Sequence, residues 1–205
     1  MDYVKMKVKI CLIGDRAVGK TCLVKRYLMD HFSGEYRQTM GAKVYKKVIN
    51  LQLELREKMI EIDMTLWDIM GNLPLSDLTD EAYFRGVQGL LVVCDVTRRS
   101  TVESLDNWIA AAPESVRHLP MYIIVNKDDL VNQVEIDEDD VFRLGDTFSS
   151  PVVMTSAKTG NNVQQAFEFL AKSIVERQLG PDTDFLTEQR FGVLERPAGI
   201  SAKAF

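Results

Sequence analysis

The sequence predicts an α/β protein: a six-stranded, mostly parallel sheet with one antiparallel hairpin strand and helices on both faces. Three observations carry this. Short apolar runs recur along the chain, segments with helical spacing separate them, and two alternating runs meet at a charged turn. The 205 residues suit one domain with a short appendage. A content of 46% hydrophobic and 27% charged residues supports a single packed core and excludes a fibre, a disulfide miniprotein and wholesale disorder. Lys and Arg number 25 against 30 Asp and Glu, a net charge of −5, which argues against binding nucleic acid through a broad basic face.

The elements follow in order. Val4, Met6, Val8 and Ile10 alternate with lysines and lead into Cys11-Leu12-Ile13, a strand entering a buried sheet. A helix over residues 21–30 would carry Val24, Tyr27 and Leu28 on one face. Ile49, Leu51, Leu53 and Leu55 alternate, Arg56-Glu57-Lys58 turns the chain, and Ile60, Ile62, Met64 and Leu66 alternate again, a hairpin. The runs 89–96, 121–125 and 151–154 lack alternation, as parallel, central strands covered on both faces would. Ser100 and Glu103 have the spacing of a capping box opening a helix. The acidic run 135–140 suits the N-terminus of another. Val163, Phe167, Leu170, Ala171, Ile174 and Val175 predict a long helix, and periodicity fades after Gly180-Pro181, dividing a domain of residues 1–178 from a tail of 179–205.

Cys11, Cys22 and Cys94 sit in or beside apolar runs without metal-like spacing, which predicts reduced, buried thiols in a cytoplasmic protein. No apolar stretch is long enough for a membrane span, the N-terminus has no signal-peptide core, and no cysteine follows Cys94 to accept a prenyl group. A chain-borne lipid anchor is therefore not expected. His31 and His118 lack metal-ligand neighbours.

Directly after the first strand, Gly14-Asp15-Arg16-Ala17-Val18-Gly19-Lys20-Thr21 satisfies the phosphate-loop pattern G-x-x-x-x-G-K-[ST], with a strand before it and a helix, beginning beside Cys22, after it. The glycines let successive N–H groups face phosphate oxygens, to which the helix N-terminus adds favourable partial charge. Lys20 would reach the β and γ phosphates, and the Thr21 hydroxyl would ligate Mg²⁺, a hard cation that prefers oxygen. This pattern leaves kinases, ATPases and GTPases open. Asn126-Lys127-Asp128-Asp129 and Ser156-Ala157-Lys158 each follow a buried strand, at the carboxyl end where open α/β sheets bind ligands. The Asp129 carboxylate can accept from both N1–H and N2–H₂ of guanine, a donor pair that adenine lacks.

With these motifs the chain resembles the Ras superfamily of small GTPases, the Rab branch most closely, over roughly residues 5–178. Asn126, Lys127 and Asp129 match N-K-x-D, Ser156-Ala157-Lys158 matches the S-A-K element, and Trp67-Asp68-Ile69-Met70-Gly71 matches W-D-x-x-G. Tyr83-Phe84-Arg85-Gly86 and Cys94-Asp95-Val96-Thr97 look like Rab-type segments. The resemblance implies a P-loop NTPase G domain, monomeric, binding GTP or GDP with Mg²⁺ and working with effector, GTPase-activating and exchange proteins. It implies that Phe32 packs on guanine beside the N-K-x-D and S-A-K residues, and that residues 14–22 hold the phosphates. It implies that Thr21, Thr39 and Asp68 serve Mg²⁺, and that Lys20, Thr39, Gly71 and the next residue act in hydrolysis. GTP hydrolysis would then release two loops that partners read.

Three departures stand out. Asn72 occupies the place where the family usually has the glutamine that orients the attacking water, which predicts slow hydrolysis. Arg16 stands where a small residue is usual: it would hinder an incoming arginine finger, supply charge in cis, or simply point to solvent. The stretch from Thr39 to Asp68 is a few residues longer than in Rab proteins generally, with the excess in the turn at residues 53–58. The expected function is a slow guanine-nucleotide switch. The alternatives are an interaction module that binds GTP without cycling, and a P-loop kinase or ATPase with fortuitous later motifs.

Overall fold

A computed structural model describes residues 3–32, 39–52, 59–72, 74, 78 and 81–180. The strands are β1 (Tyr3–Ile13), β2 (Ala42–Gln52), β3 (Met59–Ile69), β4 (Gly89–Asp95), β5 (Met121–Asn126) and β6 (Val152–Thr155). They form one sheet in the order β2-β3-β1-β4-β5-β6. Only β2 runs antiparallel, against β3; the other pairs are parallel. The helices are α1 (Lys20–Met29), α2 (Glu81–Phe84), α3 (Arg99–Glu103), α4 (Leu105–Ala111), α5 (Glu114–Arg117), α6 (Glu138–Phe148) and α7 (Val163–Leu179).

Period-2 alternation splits the sheet's side chains between two cores. Ile10 and Leu12 join Leu23 and Val24 of α1 and Phe167 and Leu170 of α7 on one face. Cys11 and Ile13 join Leu105 and Trp108 of α4 and Val141 of α6 on the other. Register carries the pattern across strands: Val8 lies beside Met64 and Ile10 beside Leu66, all four buried, whereas the opposite face pairs Lys5 with Glu61 at 2.9 Å. Val163, Phe167, Leu170, Ala171, Ile174 and Val175 are all buried, the stripe their spacing predicts.

Two local expectations need correction. The run 151–154 forms β6, which is parallel but lies at the sheet's edge rather than centrally. Its apolar run stays mostly buried because Val152 joins the core that α6 completes and Val153 the core that α7 completes. Ser100 opens no capping box: α3 starts after Arg98 with no side-chain cap. Thr101 does the local work instead, its hydroxyl donating to the Arg98 carbonyl at 2.7 Å and accepting from the Asp95 N–H at 3.0 Å. A capping box does form in the acidic run, between Asp137 and Asp140 at the start of α6. Its second carboxylate is Asp, so the usual search for Glu or Gln at that place passes over it.

The hairpin arms are longer than the alternation suggested, and the turn at 53–58 lies outside the described residues, as does the tail beyond Gly180. Cys11 and Cys94 are buried and Cys22 half-buried, all three free thiols. Among the described residues no helix is long and apolar enough to cross a membrane.

Candidate functional site

The segments at the carboxyl ends of β1, β3, β5 and β6 face one cavity of about 650 Å³, within the usual range for small-molecule sites. The P-loop forms its floor between β1 and α1. Gly19, just before α1, has φ +104°, and a Cβ there would lie 2.1 Å from the Asn126 amide nitrogen, so no larger residue fits. Asn126 crosses this gap to donate to the Val18 carbonyl at 2.8 Å, while its oxygen accepts from Thr155 Oγ1 at 3.2 Å and the Ala157 N–H at 3.1 Å. One amide thus ties the P-loop to the loop after β6.

Lys20 is buried, with its ammonium donating to the carbonyls of Gly14 at 2.6 Å and Asp15 at 2.8 Å. Burial pushes its pKa down to about 8, against the pull of Asp68 and Asp15. Beside it Thr21 Oγ1 donates to Asp68 Oδ2 at 2.5 Å and lies 2.9 Å from the Thr39 hydroxyl. Asp68 Oδ1 is buried with no hydrogen-bond partner, and burial raises the carboxyl pKa despite Thr21, Lys20, Lys43 and Thr39. Two hydroxyls and a carboxylate with an orphaned oxygen are hard donors that fit Mg²⁺. Gly71 closes this end: a Cβ on it would stand 2.5 Å from the Asp15 carbonyl oxygen and from Lys20 Nζ.

At the other end Asp129 is held by Ser156 Oγ at 2.6 Å, with Lys158 Nζ 3.7 Å from its second oxygen. Lys127 adopts a left-handed φ of +71°, a strained conformation for a lysine that costs about 1–2 kcal/mol. Its ammonium meets fully buried Asp95 Oδ2 at 2.5 Å, which offsets that strain. Burial would raise the Asp95 pKa, but hydrogen bonds from Lys127, Thr97 and Arg98 outweigh it and hold the carboxyl below its ordinary value.

Most of the residues singled out from the sequence line this cavity: Arg16, Ala17, Gly19, Lys20, Thr21, Cys22, Phe32, Thr39, Asp68, Gly71, Asn72, Asn126, Lys127, Asp129, Ala157 and Lys158. Gly14, Asp15, Val18 and Ser156 do not line it. Asp15 is the clearest departure, because its carboxylate turns away to Trp108 and Ser104 and only its backbone is left for phosphate. Lys25, His31 and Lys43 also line the cavity and were not foreseen as site residues. Asp95 and Arg98 were missed as well: Arg98 donates to Asp95 at 2.9 Å and to the Arg16 carbonyl at 3.0 Å, bracing the P-loop from outside. The only sequence signal was the segment Cys94-Asp95-Val96-Thr97.

The Ras family model matches residues 9–176, a span holding every element of this cavity. The chain belongs to the Ras family. Its similarity to Rab proteins makes it a Ras-superfamily GTPase of Rab type: it is 35% identical to Ras-related protein Rab-1A of Dictyostelium discoideum over 173 residues, 82% of this chain and 81% of that protein. It is 29% identical to human Ras-related protein Rab-26 over 181 residues, 87% of this chain and 68% of the relative. The same identity links it to Ras-related protein Rab-13 of Canis lupus familiaris over 173 residues, 84% and 82% of the two chains. This Ras-family chain is thus a GTP-binding switch GTPase, its six-stranded sheet carrying the one antiparallel pair β2-β3.

Proposed function

We propose that the protein is a guanine-nucleotide switch that binds GTP and GDP with Mg²⁺ and hydrolyses GTP slowly. The observation that carries this is the cluster of the Thr21 and Thr39 hydroxyls beside Asp68, whose second carboxylate oxygen is buried without a partner, in the same cavity as Asp129. Residues 14–22 hold the phosphates through backbone N–H groups, and Lys20 supplies a buried cation to the β and γ phosphates. Asp129 accepts from guanine beside Phe32, Asn126, Lys127 and the Ser156–Lys158 loop. Mg²⁺, when bound by Thr21, Thr39 and Asp68, neutralises phosphate charge. Thr39 and Gly71 stand where a γ-phosphate is sensed, so effector, activating and exchange proteins read the segments around them. The family match over residues 9–176 supports a nucleotide-binding domain of residues 1–178.

Slow hydrolysis follows from Asn72, exposed at the cavity rim. Its amide sits one carbon bond, ~1.5 Å, short of a glutamine's. Misplacement near 1 Å can cost about 10²-fold, roughly 2.7 kcal/mol of barrier. The same exposed Asn72 supports a second reading, a module that binds GTP without cycling. Single-turnover hydrolysis with Mg²⁺ decides between them. GDP forming over minutes to hours is the expected result; GTP remaining intact after a day favours the module, and no binding of either nucleotide overturns both.

A further inference from the structure

Arg26 belongs to none of the nucleotide motifs and does not line the cavity, yet its guanidinium joins the two segments that flank the base end. It leaves the last turn of α1. Nε donates to the Ala157 carbonyl at 2.9 Å, and Nη2 donates to the Lys158 carbonyl. Nη1 donates to the Asp30 carbonyl at 3.1 Å and to Asp30 Oδ1 at 3.0 Å. The stem lies along Gly160, where a Cβ would stand 3.7 Å from Arg26 Cδ. Only 15% of the side chain is exposed. The loop after β6 is thus gripped from inside by Asn126, through the Ala157 N–H, and from outside by Arg26. Asp30 is the C-cap of α1, and the chain runs from it directly to His31 and Phe32.

We propose that Arg26 is the latch that sets the rate of guanine-nucleotide release. This rests on the functional reading above, which puts the base between Phe32 and the Ser156–Lys158 loop. A base held from these two sides leaves only when one of them moves, and a charge-assisted guanidinium tie spanning both resists that motion. Lysine cannot replace the fork, because one ammonium on a flexible stem does not reach both loop carbonyls and Asp30 in a fixed plane. Arg26 bonds to neither the P-loop nor Thr21, Thr39 or Asp68, so it acts on release and not on hydrolysis. It is a positioning residue.

The test is displacement of a fluorescent N-methylanthraniloyl GDP from the full chain by excess GDP in Mg²⁺, beside single-turnover hydrolysis of saturating GTP. Arg26→Ala is expected to speed release tenfold or more, the scale of losing one charge-assisted bond, with hydrolysis within twofold of the parent. Arg26→Lys is expected to fall between, and Asp30→Ala, which keeps both loop bonds, to stay within threefold. Release within twofold of the parent in Arg26→Ala overturns the latch, as does hydrolysis falling in proportion to the gain in release. If Arg26→Ala does not fold, Arg26→Lys decides alone, and unchanged release overturns the proposal. A parent protein that binds no GDP overturns the functional reading itself.

Discussion

Trp108 Nε1 donates to Asp15 Oδ1 at 2.6 Å, across 93 residues of sequence. Ser104 Oγ holds the other oxygen at 2.8 Å, so the second residue of the P-loop is anchored in the helical layer rather than aimed at the cavity. A loop whose backbone must present its N–H groups in a fixed array gains from such bracing, because the ordering cost is met on folding and not at binding.

Trp108→Phe keeps most of the buried ring but leaves Asp15 Oδ1 without its donor. A hydrogen bond to a charged group contributes about 1.5–3 kcal/mol. Urea denaturation is expected to show a loss of that size, and GDP titration a weaker affinity. Unchanged affinity beside lowered stability would separate the anchor from phosphate binding.

Asn72→Gln restores the longer amide stem at the cavity rim. Single-turnover hydrolysis is expected to accelerate by about 10-fold to 10²-fold, with nucleotide affinity unchanged. An unaltered rate would show that stem length is not what limits hydrolysis.

Asp129→Asn removes the carboxylate that Ser156 holds at 2.6 Å. An asparagine amide offers one acceptor where two guanine donors need satisfying. GTP and GDP affinity is expected to fall by about 10²-fold, ~2.7 kcal/mol, while ATP affinity stays as weak as before. Competition between the two purines in equilibrium titrations reads this directly.

Asp95→Asn tests the buried ion pair with Lys127. The folded carboxyl titrates below its ordinary value, so its stabilising contribution is complete above the unfolded pKa of about 4 and is lost as pH falls through the folded value. The variant should be about 3 kcal/mol less stable at pH 7, where Lys127 and Arg98 are left facing a neutral amide. That deficit should shrink as both proteins are unfolded at successively lower pH below 4. A deficit independent of pH would mean that packing, not charge, is what the substitution disturbs.

The strands and the P-loop were legible because each depends on neighbours in sequence. Alternation in β1 and β3 reports burial directly, and Gly14 to Thr21 is a contiguous strand-to-helix turn. The S-A-K and N-K-x-D segments could be read because each follows an apolar run. Ser100 misled for the opposite reason: its spacing to Glu103 is that of a capping box, but the Asp95 N–H needed a partner and Thr101 supplied it. The 151–154 run misled because burial by α6 and α7 gives an edge strand the look of a central one.

The order of elements, the two-faced core and the identity of most cavity residues are properties of this sequence read along its length. Only the tertiary structure decided that Asp15 turns to Trp108, that Asp95 joins Lys127 to Arg98, and that Arg26 spans from α1 to the loop after β6. The physical reason is range. Periodicity and turn chemistry act over a few residues, whereas a buried charge takes whichever partners the finished packing brings within about 3 Å.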